Sequence, residues 1–124
     1  MKYLMLIYGN QEKWAAIPAD QWPEAIARQD AFNRKYRATG ELIGAYGLAN
    51  EVQARLVRRE NGLPVVTDGP YLEAKEFLGG YYLVDVASRE RALELAAMIP
   101  DAAVAGLGIE VRPVMFSAGM EMEI

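Results

Sequence analysis

The residues best suited to chemistry in this sequence lie in one stretch, between Thr67 and Val86. It begins with a turn, Asp68-Gly69-Pro70, continues with a charged loop, Glu73-Ala74-Lys75-Glu76, and then has a glycine pair, Gly79-Gly80. A carboxylate beside a pocket of apolar and aromatic side chains acquires a raised pKa and can act as a general base. Asp68 is therefore the candidate catalytic residue, and Lys75 is the candidate for holding an oxyanion.

Each of these residues also has a purely structural interpretation. Aspartate begins turns well because its carboxylate accepts a backbone N–H, and Gly-Pro continues the turn. Lys75 can pair with a neighbouring glutamate, as exposed charges commonly do. The glycine pair admits either another backbone or a ligand at close range. The position of Asp68 distinguishes the two interpretations: a catalytic Asp68 would line a cavity, whereas a structural Asp68 would only cap a turn.

Aromatic side chains supply a second set of candidates. Most of the tyrosines fit a core position with one end in water. Tyr8 is the main exception, because it ends an apolar run just before Gly9 and Asn10. Trp14 can either cap a pocket mouth or anchor a loop. The residues that we expect to contact a ligand are Tyr8, Trp14, Lys75 and Tyr82.

Several site classes are missing from the sequence. The chain has no histidine and no cysteine, which excludes imidazole bases, thiol nucleophiles, disulfides and thiolate metal sites. No glycine-rich segment matches a phosphate loop, and no serine stands in a nucleophile elbow. Acid–base chemistry must come from Asp, Glu, Lys or Tyr. We predict no cofactor and no metal.

The bulk composition limits the partners. The chain has 124 residues and is 52% hydrophobic, which fits one domain, residues 1–124, with a real core. Its net charge of -4 argues against nucleic-acid binding. The apolar run at the N-terminus is too short for a signal peptide, and no segment is long enough to span a membrane. With the absence of cysteine, this predicts a soluble cytoplasmic protein without nucleic-acid or membrane partners.

Hydrophobic periodicity gives the order of the elements. Strands are predicted at 2–8, 41–48, 52–59, 63–67, 78–86 and 109–115, and helices at 20–39 and 89–99, with a loop over 9–19. Asp20 and Ser88 are the expected helix N-caps, and Gly40 is the expected stop. Asn61-Gly62 is a two-residue hairpin turn. The order β-α-β, hairpin, β-α-β is an α+β, ferredoxin-like arrangement with an inserted hairpin.

The central strands predict a homodimer. Two helices can cover only one face of the sheet, yet strand 2–8 is apolar on both faces. Strand 78–86 also carries Tyr81 and Leu83 on the second face. An uncovered apolar face of this size is unfavourable in water, so a second copy packing sheet to sheet is the simplest solution. The alternative is a monomer whose hairpin or tail folds over the open face.

Five fragments together resemble the YCII-related, DGPF-domain family. They are Met1-Lys2-Tyr3-Leu4-Met5-Leu6-Ile7-Tyr8-Gly9, Val66-Thr67-Asp68-Gly69-Pro70-Tyr71, Glu73-Ala74-Lys75-Glu76, Leu78-Gly79-Gly80-Tyr81-Tyr82-Leu83 and Val111-Arg112-Pro113-Val114. The resemblance covers nearly the whole chain and implies a dimeric α+β barrel of ferredoxin-like subunits. Tyr71 stands where the family motif has phenylalanine, which keeps an aromatic ring.

The resemblance implies two kinds of function. In the wider YCII group a His–Asp pair is the proposed catalytic site; Asp68 matches the aspartate, but no histidine is present to complete the pair. The first expectation is a protein that binds a small molecule beside the sheet, with weak acid–base chemistry by Asp68. The second is a non-catalytic regulatory or interaction module, because some members look linked to sigma-factor-dependent transcription. Whether the protein is an enzyme stays open at this point.

Overall fold

The computed structural model describes residues 1–9, 11–69, 76–104 and 107–118. The strands in this part of the chain are β1 (Lys2–Gly9), β2 (Leu42–Gly47), β3 (Arg55–Glu60), β4 (Leu63–Asp68), β5 (Phe77–Asp85) and β6 (Gly108–Pro113). Four of them form an antiparallel sheet in the order β2-β5-β1-β6, while β3 and β4 form a separate hairpin. The α+β, ferredoxin-like arrangement predicted from the sequence is confirmed.

The described helices are α1 (Gln11–Ala15), α2 (Trp22–Ala38) and α3 (Arg89–Met98), with 3-10 turns at Ala19–Gln21, Glu51–Gln53 and Pro100–Ala103. None of these helices is long and apolar enough to cross a membrane. The predicted loop over 9–19 was wrong in part, because α1 lies within it. The predicted helix over 20–39 is divided into a 3-10 turn and α2.

The two expected N-caps had different outcomes. Asp20 lies inside a 3-10 turn, where its backbone cannot take the extended form of a cap, and Gln21 precedes α2 without a side-chain cap. Ser88 was predicted correctly: its extended backbone lets the hydroxyl accept from the N–H of Arg91 at 3.1 Å. Gly40 follows α2 with a φ of 83°, the left-handed conformation that ends many helices.

The hairpin turn at Asn61-Gly62 is confirmed in detail. Both residues have positive φ, 52° and 78°, as a two-residue turn between twisted strands requires. The strand predicted over 52–59 begins three residues late, at Arg55. The preceding 3-10 turn explains the delay, because the Asn50 side chain accepts from the N–H of Val52 at 2.9 Å and caps that turn.

The hydrophobic core lies between one face of the sheet and the two longer helices. Met5 and Val84 come from the central strands, Phe32 and Tyr36 from α2, and Leu95 from α3. All five side chains are at least nine-tenths buried. Apolar burial on this scale supplies most of the driving force for folding. The helices therefore cover the face of β1 that carries Tyr3, Met5 and Ile7.

The opposite face of the sheet carries no residue of this core. Strand register places on it Leu4, Leu6, Tyr8, Tyr46, Tyr81 and Leu83. The rings of Tyr46 and Tyr81 lie 5.0 Å apart, and Tyr46 is 55% exposed. We call these six residues the open sheet face. Burial of this face in a homodimer stays a prediction.

Candidate ligand-binding pocket

A cavity of about 540 Å³ lies on the helix-covered side of the sheet. Its walls come from α1, the N-terminal half of α2, the end of β2, the start of β5 and the 3-10 turn after α3. This volume is in the range of small-molecule sites in proteins. We call this cavity the pocket.

The pocket exists because α2 leaves the core in its first half. The sequence predicts one apolar stripe along the helix, but only Phe32 and Tyr36 at its C-terminal end are buried. Trp22 is 39% exposed and Ile26 is 56% exposed, and both line the pocket. An apolar helix face that meets a cavity rather than the core is a feature of ligand sites.

Four polar side chains line the pocket and have no side-chain partner among the described residues. They are Gln29 and Asn33 of α2, Tyr82 of β5 and Asp101 of the last 3-10 turn, and we call them the polar quartet. The Oδ1 atom of Asn33 is fully enclosed and has no hydrogen bond. Within the described residues, none of the four has a side-chain hydrogen bond to another residue. Enclosed polar groups are nearly always paired in folded proteins, so the unpaired Oδ1 of Asn33 is an exception within the described residues.

Asp101 has the electrostatic character of a proton-transfer group. Burial raises the pKa of its carboxyl, and a hydrogen bond from its own backbone N–H offsets part of that effect. Burial also raises the pKa of Tyr82 well above its usual range, and the charge of Asp101 adds to this shift. Tyr82 therefore stays a neutral hydroxyl beside a carboxyl that holds its proton more tightly than usual.

Sequence reasoning missed Asp101, because residues 101–107 lie between the predicted helix 89–99 and the predicted strand 109–115 and show no pattern of their own. Pro100 ends the helical stripe, and Asp101 is the single charge between that proline and Gly106. An isolated carboxylate in an apolar segment is the signal that could have identified it, since such a residue is forced toward apolar surroundings when the segment packs. Pro100–Ala103 then folds as a 3-10 turn that brings Asp101 to the pocket.

Trp14 and Tyr82, two of the expected ligand contacts, both line the pocket. The indole of Trp14 lies against Gly79, where an added Cβ would overlap its ring. Gly80 is close to the neighbouring strand instead, since a Cβ there would lie 2.6 Å from the carbonyl oxygen of Tyr46. In the described structure, Gly79 therefore makes room for the side chain of Trp14, and Gly80 makes room for the backbone of β2.

The structure places Asp68 away from the pocket. Its carboxylate is 94% exposed and lies 3.2 Å from Nε of Arg55 across the base of the hairpin. The next residue, Gly69, has a φ of 76° and donates its N–H to the carbonyl of Ala54 at 2.7 Å. In the described structure, Asp68 is not part of the pocket lining, and its carboxylate pairs with Arg55 and caps no turn.

The remaining predicted contacts are also outside the pocket lining. Tyr8 lies on the open sheet face, where its hydroxyl donates to Oε1 of Glu110 at 3.3 Å. Burial, and after it the charge of Glu110, raises the pKa of Tyr8. Lys75 lies outside the described residues, as do Pro70 and Tyr71. Glu76, at the edge of that segment, pairs with Lys13 of α1.

Two comparisons with known proteins agree with this fold. The YCII-related domain family matches residues 1–117. An uncharacterized protein of Rhizobium meliloti (strain 1021) is 33% identical over 113 residues, which are 91% of this chain and 91% of that protein. A match of this length covers the main sheet, the helices, the hairpin and the residues of the pocket. The chain therefore belongs to the YCII-related family.

Proposed function

We propose that this protein binds a small organic molecule in the pocket and exchanges a proton with it through Asp101. The observation that carries the proposal is the polar quartet: four polar side chains face one cavity and have no partner among the described residues. A native fold that leaves polar groups unpaired loses about 1–3 kcal/mol for each enclosed group. A ligand that pairs with them restores that stabilisation.

The proposal moves the acid–base role from Asp68 to Asp101. Asp68 is paired with Arg55 in water, whereas Asp101 faces a cavity large enough for a substrate. A carboxyl whose pKa is raised by burial is closer to the pH at which it can both take and return a proton. The neutral hydroxyl of Tyr82 can donate a hydrogen bond to the same ligand.

The test is to block the pocket and measure the binding of a fragment library by ligand-observed NMR. Ala45 lines the pocket on the exposed edge of the sheet, so Ala45→Phe places a ring in the cavity without crowding the core. Ile43 lies on the same strand and is 44% exposed, but it is not part of the lining, so Ile43→Phe is the matched control.

We expect fragments to bind the unmodified protein and Ile43→Phe, and to lose their signal with Ala45→Phe. Fragments that bind all three proteins equally would place binding elsewhere and contradict the proposal. A protein that binds no fragment from the library contradicts it as well.

We also propose that the protein forms a homodimer through the open sheet face. The support is physical: six apolar and aromatic side chains share this face outside the core cluster, and Tyr46 is 55% exposed, although Leu6 is already buried within one chain. Sedimentation at micromolar concentration should give a dimer, and Leu83→Glu should dissociate it. Leu93→Glu is the control, because Leu93 is 44% exposed on α3 and far from the sheet face. A monomeric unmodified chain would rule the dimer out.

A further inference from the structure

The lining of the pocket also indicates the chemical class of its ligand. This inference rests on the proposed function. We propose that the pocket selects a flat aromatic or conjugated ring that bears N–H donors, as in an amidine, an aromatic amine or a primary amide. Carboxylates and phosphate esters of similar shape should bind more weakly. Three separate features of the pocket lead to this class: its walls, its unpaired acceptors and its charge.

The walls favour a flat ring. Both tryptophans of the chain, Trp14 and Trp22, line the pocket, together with Phe77 at the start of β5. Aromatic faces pair well with a planar ring and attract a cationic one. A cavity of about 540 Å³ accepts one or two fused rings with room for a polar head.

The hydrogen-bond acceptors of the pocket favour a ligand that carries N–H donors. The enclosed Oδ1 of Asn33 can only accept a hydrogen bond, and so can the carboxylate of Asp101 when it is ionised. Neither has a side-chain partner among the described residues. A ligand head with two or more N–H groups can pair with Asp101 directly and with Asn33 once its side chain turns toward the cavity, whereas a carboxylate head presents oxygen to oxygen and pairs with neither.

The charge of the lining disfavours an anion. Arg28 is the cation among the described lining residues, and its guanidinium is already bonded to Glu24 at 3.1 Å. Asp101 contributes a carboxylate to the same lining. Within the described lining, an anionic ligand would have to displace Glu24 from Arg28 and would face the carboxylate of Asp101, which is unfavourable in a partly enclosed site.

Intrinsic fluorescence gives a direct assay, because both tryptophans lie at the pocket. Four probes share one phenyl ring and a planar three-atom head: benzamidine is a cationic donor, benzamide a neutral donor and acceptor, acetophenone an acceptor only, and benzoate an anion. We expect affinity to fall in that order, with benzamidine at least about tenfold tighter than benzoate, the difference of one charge-assisted hydrogen bond.

Two variants assign the preference to the named acceptors. Asp101→Asn should bring benzamidine down to the affinity of benzamide, and Asn33→Leu should weaken both donors and leave acetophenone unchanged. Asp68→Asn is the matched control outside the pocket and should change nothing. Circular dichroism and thermal unfolding establish that each variant is folded.

The outcomes separate this inference from the proposed function. If acetophenone or benzoate quenches the tryptophans with the higher affinity, the pocket binds ligands but the inferred class is wrong. If none of the four probes binds while library fragments still bind in the pocket, the inferred class is wrong and the proposed function stands. If Ala45→Phe binds the probes and the fragments unchanged, the proposed function itself fails. Preference for benzamidine that survives in Asp101→Asn also overturns the inference.

Discussion

Two aspartates of this chain show how differently the same side chain can be placed. Asp68 stands in the conspicuous turn triplet, yet it is almost fully exposed and paired with Arg55. Asp101 stands in an inconspicuous connection, yet it faces a cavity, has a raised pKa and pairs with no other side chain in the described structure. The capacity of an aspartate for acid–base chemistry therefore depends on the surroundings that tertiary structure builds, and not on the density of charged residues along the chain.

The regions around the two aspartates differ in the same way. The hairpin that ends at Asp68 forms its own two-stranded sheet, and its Val57 and Val66 are at least 60% exposed. The pocket is bounded by four helical segments and three strands of the main sheet. Changes near the pocket should therefore have large effects on stability, and changes in the hairpin should have small ones.

The largest expected effect is that of Gly80→Ala in β5. A Cβ at this position would lie 2.6 Å from the carbonyl oxygen of Tyr46 in the adjacent strand, and a backbone atom cannot move away as a side chain can. We expect a loss of about 2–3 kcal/mol in the free energy of unfolding, the range of overpacked sites. Urea denaturation followed by circular dichroism measures it.

Gly69→Ala is the matched substitution in the hairpin. Among the described residues, no atom lies within 4 Å of a Cβ built there, so the positive φ of 76° is what opposes the substitution. The expected loss is about 1 kcal/mol. If the two substitutions destabilise the protein equally, the contrast in packing between the two regions is wrong.

The next effect has the opposite sign: Asp101→Asn should stabilise the protein at neutral pH. The change removes a charge from a partly enclosed site and keeps the shape of the side chain. We expect a gain of about 1 kcal/mol, as is common when a functional group that opposes stability is replaced. A loss of stability would mean that Asp101 has a stabilising partner, and that the polar quartet is not a site in need of a ligand.

The pH dependence of that gain follows from the raised pKa. Because burial raises the pKa of Asp101 in the folded chain, the folded protein keeps the proton over a range where the unfolded chain has released it. Stability of the unmodified protein therefore falls as the pH rises through that range. The difference between Asp101→Asn and the unmodified protein should be absent below the ordinary carboxyl pKa of about 4 and should grow until the pH passes the raised pKa of the folded chain. Thermal unfolding at several pH values measures it.

The sequence predicted the elements whose signals are local. Ser88 caps α3, Asn61-Gly62 forms the hairpin turn and Gly40 ends α2, because each of these depends only on the conformational preferences of a few neighbouring residues. The strand order followed from the order of the elements. The open sheet face was also evident from strand alternation, although what covers it is still a prediction.

The pocket was not predictable in the same way. Its polar quartet comes from α2, β5 and the turn after α3, and no spacing along the chain relates these segments. The apolar stripe of α2 was visible, but whether Trp22 and Ile26 meet the core or a cavity depends on where α1 and the last turn lie. Tertiary placement decides this, and a single sequence contains no direct record of it.

The smallest expected effect is that of Asp68→Asn, and it is the one that most sharply distinguishes the two aspartates. The carboxylate is 94% exposed, so its pairing with Arg55 is screened by water and salt and contributes little to stability. The substitution should leave the unfolding midpoint and the binding of benzamidine unchanged within error, whereas Asp101→Asn changes both. Because asparagine also begins turns well, the backbone at Gly69 should be unaffected. A loss of ligand binding in Asp68→Asn would return the acid–base role to the turn triplet and remove it from the pocket.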